Sequence, residues 1–196
     1  MTLTPSNTAA ILLAAGASSR FGGDKLSAPL KGGTVLGQAA AALAATHCAH
    51  CAIVLRPGVN LADHHALSGF TTIANPAADN GLSTSIRAGV EWAESEGAKG
   101  VLIALADMPF ITPDHFAALF DIANKSANAC AFTAASGRRS PPALFGAQWF
   151  GELKKLSGDS GARKLLSDQP ASSGVAAPES MLIDIDTPDD LEKLQR

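Results

Sequence analysis

Two uninterrupted apolar runs, AAILL at 9–13 and GVLIALA at 100–106, restrict this chain to folds that bury a strand on both faces. Around them, short apolar stretches alternate with segments of helical period, the pattern of a parallel sheet covered by helices. The reading places strands at 9–14, 51–56, 70–74, 100–106, 129–133 and 181–185. Helices are expected at 34–46, 61–67, 83–96 (capped by Ser83), after Thr112-Pro113, and at 147–156 and 160–167. Thr187-Pro188-Asp189-Asp190 opens a terminal helix, GRRSPP at 137–142 reads as a turn before an apolar ALF segment, and 169–178 reads as a loop. No repeat or low-complexity linker interrupts the pattern, so the expectation is an α/β protein with one domain over 1–196.

Composition narrows the function classes. Hydrophobic content of 46% with 17% charged residues marks a globular chain. A net charge of -3, with no Lys/Arg run and no aromatic ladder, argues against nucleic acid as a partner. The apolar stretch behind MTLTPSNT is too short to span a membrane and lacks a basic flank, which points to the cytoplasm. His47-Cys48-Ala49-His50-Cys51 holds a CxxC flanked by histidines, but no second ligand pair of that type follows, so zinc is disfavoured. Cys130, within an apolar run, reads as an inert core thiol.

The chemistry concentrates after the first apolar run, in LAAGASSRFGGDK at 13–25. Glycines allow backbone N–H groups to approach a ligand closely, and successive N–H groups form an anion cradle. Arg20 adds a planar fork and Lys25 a mobile point charge, a combination suited to a triphosphate. Neither GxxxxGK[ST] nor GxGxxG is present. The competing reading is a flexible glycine-rich connection. Asp107 follows the central run, where ligands bind in open α/β sheets; it is either a cation ligand or a turn aspartate. In MLIDID, strand alternation would put Asp184 and Asp186 on one face and Ile183 and Ile185 on the other. Paired carboxylates favour a cation, although Asp184 also suits a structural ion pair. NGLSTSIR at 80–87 and GDSGAR at 158–163 each combine a turn with an arginine, and each alone is more often a turn than a site.

In order along the chain, LAAGASSRFGGDK, NGLSTSIRAG, ADMPFITP, PPALF, GDSGAR and IDIDTPDDL resemble the MobA-like nucleotidyltransferases of the molybdenum cofactor type. Ala14-Ala15-Gly16 is similar to the cytidylyltransferase branch, whereas the guanylyltransferase branch carries AGG there. The resemblance implies a three-layer Rossmann-like fold with a mostly parallel central sheet, and magnesium-dependent transfer of CMP from CTP to molybdopterin with release of pyrophosphate. It implies that the Leu13, Ala14, Ala15, Gly16 and Ser18 region cradles the nucleotide and that Arg20 and Lys25 neutralise phosphates. It further implies that Asp107 and Asp186 hold Mg2+, that Ser83 and Arg87 line the base and ribose side, and that Arg20, Lys25 and Asp107 carry catalysis. A molybdenum hydroxylase is the implied client. Related readings are a transferase using GTP or another phosphorylated acceptor, and a non-catalytic cofactor-delivery protein. An anionic phosphate acceptor needs no strong general base, and none of the five histidines falls in these segments. One departure concerns the acceptor side: Ser140 and Pro141 stand where the family has glycine and histidine or asparagine, while Arg138 and Arg139 suit an acceptor phosphate.

Overall fold

The computed structural model describes residues 2–16, 21, 24–30, 32–59, 67–159, 161–185, 187 and 189–191. A seven-stranded sheet organises them. Its strands are β1 (Thr8–Leu13), β4 (His50–Leu55), β5 (Thr71–Ala74), β6 (Gly100–Leu105), β7 (Cys130–Ala135), β8 (Arg138–Gly146) and β9 (Gly174–Ala176), in the order β5-β4-β1-β6-β8-β7-β9. A two-stranded ribbon, β2 (Pro29–Leu30) and β3 (Gly33–Thr34), stands apart. β5, β4, β1 and β6 run parallel, as does β9 beside β7, and β8 is antiparallel to both neighbours.

Alternation along the strands creates the three layers. Ala10 and Leu12 of β1 and Leu102 and Ala104 of β6 face one core, with Leu36, Ala40 and Leu43 of α1 (Val35–Ala44) and Leu119 of α3 (Pro113–Lys125). Ala9, Ile11, Leu13, Val101 and Ile103 face the other, with Ile86, Val90 and Ala93 of α2 (Leu82–Ser95) and Leu153 of α4 (Phe150–Lys154). α2 lies close to β1 because residue 89 is glycine: a Cβ there would come within 2.8 Å of Ile11 Cδ1 and Cγ2. Thr34 and Thr112 cap α1 and α3, each accepting from the N–H three residues on. A short α5 (Arg163–Ser167) follows the 157–162 loop.

Four expectations need correction. Residues 137–142 are not a turn followed by a separate apolar segment. Ser136 and Gly137, both at positive φ, make a tight reversal, and β8 begins at Arg138. Pro141 and Pro142, joined by a cis peptide, are accommodated inside this strand because the β7 register shifts between Phe132 and Thr133. Second, 181–185 is not a strand: a 3-10 turn over Glu179–Leu182 precedes a segment whose Ile185 N–H donates to the Asp107 carbonyl. Third, the 169–178 loop contains β9 at the sheet edge. Fourth, the cap of α2 is Gly81, at φ +104, and Ser83 lies inside the helix. The helix expected at 61–67 falls almost entirely outside the described residues, and residues 189–191 are helical behind Thr187.

Candidate active site

The parallel ladder continues past the strand ends. Ala14 N–H donates to Val54 and Ala106 N–H to Leu13, holding the start of the first loop against the neighbouring strands. Strand order reverses at β1, with β4 on one side and β6 on the other, the position at which open α/β sheets bind ligands beyond the strand ends. A Cβ added at Gly16 would meet nothing within 4 Å, so the backbone there borders open space.

Lys25 returns to this end of the sheet. The Asp24 carboxylate accepts from the Leu26 and Ser27 N–H groups and from the Ser27 hydroxyl, a local turn that presents Lys25 inward. Leu36 N–H donates to Leu26 and Val35 N–H to Ala28, fastening the turn to the start of α1. Lys25 Nζ meets Asp107 Oδ2 at 2.6 Å, with side-chain exposures of 10% and 25%. These two expected residues are therefore brought together across 82 positions of sequence. Arg20, Ser18 and Asp186 lie outside the described residues.

Clefts extend from this pair. A small one, about 30 Å³, is lined by Leu13, Ala14, Gly16, Lys25 and Asp107. It shares Gly16 with a cleft of about 290 Å³ bordered by Ala15, Arg56, Asp79, Ser85 and Asp159. On the other side a narrow passage of about 80 Å³ leads past Leu13, Leu105 and Arg163. It joins a cleft of about 660 Å³ walled by Met108, Arg138, Ser140, Pro141, Leu182 and Asp184.

Other expected residues are engaged elsewhere. Ser83 is buried at 1% exposure, and its N–H donates to the Gly158 carbonyl. Arg87 binds the carbonyls of Lys154 and Leu156, tying α2 to the end of α4, and lines none of these clefts. Arg139 donates through Nη1 to the carbonyls of Leu166, Ser167 and Gln169 and stacks over Phe132, with the guanidinium carbon 5.1 Å from the ring centre. Arg138 pairs with Glu179.

Several residues were not marked by any local motif. Arg56, directly after β4, donates from Nε to the Ala15 carbonyl and from Nη1 to Asp79. Buried Asn75 donates to the hydroxyls of Thr84 and Ser85 and accepts from Ala77, fixing the turn before α2. The usable signal was a charged or amide residue directly beyond an apolar run, at the ligand-binding edge of the sheet. Elsewhere, burial pushes the Cys48 thiol up to about 11, with the nearby Cys51 adding to the rise, so it stays protonated. Burial likewise pushes Cys130 up to about 12. Among the described residues no cluster of three or more His, Cys, Asp or Glu offers a metal site.

Comparison with known proteins places this geometry. Residues 10–173 match the model of the MobA-like NTP transferase domain. The chain belongs to that family. This MobA-like chain is 33% identical to the purine catabolism protein PucB of Bacillus subtilis over 95% of each sequence. It is 31% identical to a phosphoenolpyruvate guanylyltransferase of Sphaerobacter thermophilus, over 78% of this chain and 73% of that protein. Rv0371c of Mycobacterium tuberculosis shares the fold, with a TM-score of 0.79 at 24% identity over 98% of this chain and 100% of its own. Rv0371c has also been crystallised in complex with manganese. The family and these relatives make the MobA-like chain a nucleotidyltransferase.

Proposed function

We propose that this protein transfers CMP from CTP to a molybdopterin-type acceptor and releases pyrophosphate. The observation that carries this reading is the Lys25–Asp107 contact at 2.6 Å, between a cleft of base size and a larger cleft of acceptor size. The triphosphate would lie along Leu13, Ala14, Ala15 and Gly16, with Arg20 and Lys25 against its phosphates. An acceptor phosphate oxygen attacks the α-phosphorus in line. The bond from that phosphorus to the bridging oxygen breaks, and pyrophosphate leaves with the electron pair. The phosphate acceptor enters as an anion, so the chain's work is positioning and charge compensation.

Asp107 supplies a hard carboxylate oxygen, partly open to solvent, and so fits a magnesium ion that retains waters and phosphate oxygens. Asp186 is the second ligand in this reading. When bound, magnesium would offset the charge that accumulates on the phosphates. The manganese complex of Rv0371c is compatible with a divalent ion in this fold.

Ser83, buried, and Arg87, bound to backbone carbonyls, act in this reading as supports of the base-side wall. The acceptor cleft is lined by exposed Arg163 at the start of α5, together with Arg138, which pairs with Glu179, and Arg139, which binds backbone carbonyls. The purine catabolism role of PucB is compatible with a molybdenum hydroxylase client. A second reading is use of GTP, suggested by the guanylyltransferase relative. Thermal-shift ranking of CTP, GTP, UTP and ATP with magnesium separates the two. CTP is expected to give the largest rise in Tm, and an equal rise with GTP removes the basis for choosing cytidylyl transfer.

A further inference from the structure

The Arg56–Asp79 pair borders the 290 Å³ cleft and lies outside every segment that pointed to the activity. The two residues come from different loops. Arg56 follows β4, and Asp79 sits in the turn before α2. Arg56 is held from behind, its Nε–H on the Ala15 carbonyl at 2.9 Å, so the guanidinium is tied to the loop that reaches the phosphates. Its side chain is 28% exposed, against 82% for Asp79. Two of its five N–H donors are thus engaged, one on Ala15 and one on Asp79 Oδ1. Among the described residues the remaining donors and Asp79 Oδ2 have no other partner.

We propose that Arg56 and Asp79 together read the nucleobase. The inference rests on the nucleotidyltransferase reading above and adds the determinant of base choice. A carboxylate only accepts hydrogen bonds and a guanidinium only donates, so the pair presents an acceptor beside two donors. The Watson–Crick edge of cytosine presents the complement: an amine donor, then the N3 and O2 acceptors. Uracil places a carbonyl against the carboxylate and an N3–H against the guanidinium, two repulsive contacts out of three. Guanine satisfies the same pair turned over, with O6 on the arginine and the N1–H and amine on the carboxylate. The recognised chemistry is therefore a base carrying both an amine and a carbonyl on that edge. The cleft beside Ala14-Ala15-Gly16 seats cytosine in this account.

Equilibrium binding of CTP, UTP, GTP and inorganic pyrophosphate, each with magnesium, to the wild-type chain and to Asp79→Asn tests the assignment. Wild type is expected to hold CTP about tenfold or more tighter than UTP. Asparagine can donate to uracil O4, so the variant is expected to lose CTP affinity and gain UTP affinity, bringing the ratio down by about tenfold. Pyrophosphate, which has no base, is expected to bind both forms equally. A Tm matching wild type would show that this exposed substitution leaves the fold intact. A GTP preference that disappears in Asp79→Asn would also support the pair as the reader, with guanine as its base. A CTP/UTP ratio unchanged by Asp79→Asn overturns the proposal while leaving the triphosphate site standing. Failure of wild type to bind pyrophosphate or any nucleotide overturns the underlying reading, and the proposal with it.

Discussion

Lys25 is a buried lysine whose ammonium group lies 2.6 Å from the Asp107 carboxylate. In the proposed function an incoming phosphate takes the lysine while the aspartate turns to a cation. Each partner should therefore matter more to turnover than to folding. Lys25→Ala and Asp107→Ala are each expected to reduce pyrophosphate release by about 100-fold or more, the usual effect of removing one preorganised charge. Near-normal turnover in Asp107→Ala would remove the metal assignment. His115 gives a second prediction at this scale. Its Nε2 lies 2.9 Å from the Thr133 hydroxyl, which itself donates to the Pro142 carbonyl, so the ring nitrogen is the donor of that link. Burial lowers the His115 pKa below 6.5, so below that pH the unfolded chain takes up a proton that the folded chain refuses. The stability this neutral ring provides is complete above pH 6.5 and is lost as pH falls from there towards the folded-state value. His115→Gln preserves an N–H donor without titrating. Urea unfolding from pH 8 to 5 should show a shallower loss of stability on the acid side for the variant than for wild type.

Two glycines fit the start of α2 against residues 158, 159 and 161. Gly81, at φ +104, leaves no room for a side chain: a Cβ there would lie 2.6 Å from both the Gly158 carbonyl carbon and Asp159 Oδ1. Gly161 is pressed in the same way against Leu82. Gly81→Ala is expected to cost about 1–3 kcal/mol in urea unfolding and to weaken CTP binding, since Leu82 and Asp159 both border the base-side cleft. The strands β1 and β6 and the helices α1 and α3 were legible in sequence, because continuous apolar runs, an alanine-rich helical stretch and the Thr112-Pro113 start carry their own local signal. β8 was hidden by Pro141 and Pro142, which a regular strand excludes and a register shift admits. The alternating IDID segment imitated a strand, yet its Ile185 N–H goes to the Asp107 carbonyl. Three residues of edge strand in β9 carry no readable period.

At the scale of the whole molecule, strand order explains why the site lies where it does. β1 is flanked by β4 and β6, and the clefts beside Gly16 and Leu13 lie at the C-terminal end of β1. The meeting of Lys25 and Asp107 could be anticipated, because the 13–25 loop and the ADMP segment each concentrate charged and small residues directly after an apolar run. The cleft beside Gly16 is assembled from Arg56, Asp79 and Asp159, single residues on three loops, and only the fold brings them together. In the proposed function the chain cleaves a nucleoside triphosphate at its α-phosphorus and delivers the nucleotide to a phosphate acceptor. The most direct test supplies CTP labelled at the α-phosphorus, magnesium and molybdopterin, and follows both the label and pyrophosphate. The label is expected to enter the acceptor with one pyrophosphate released per label transferred. Label remaining in CTP, or leaving as free CMP or CDP, would contradict it.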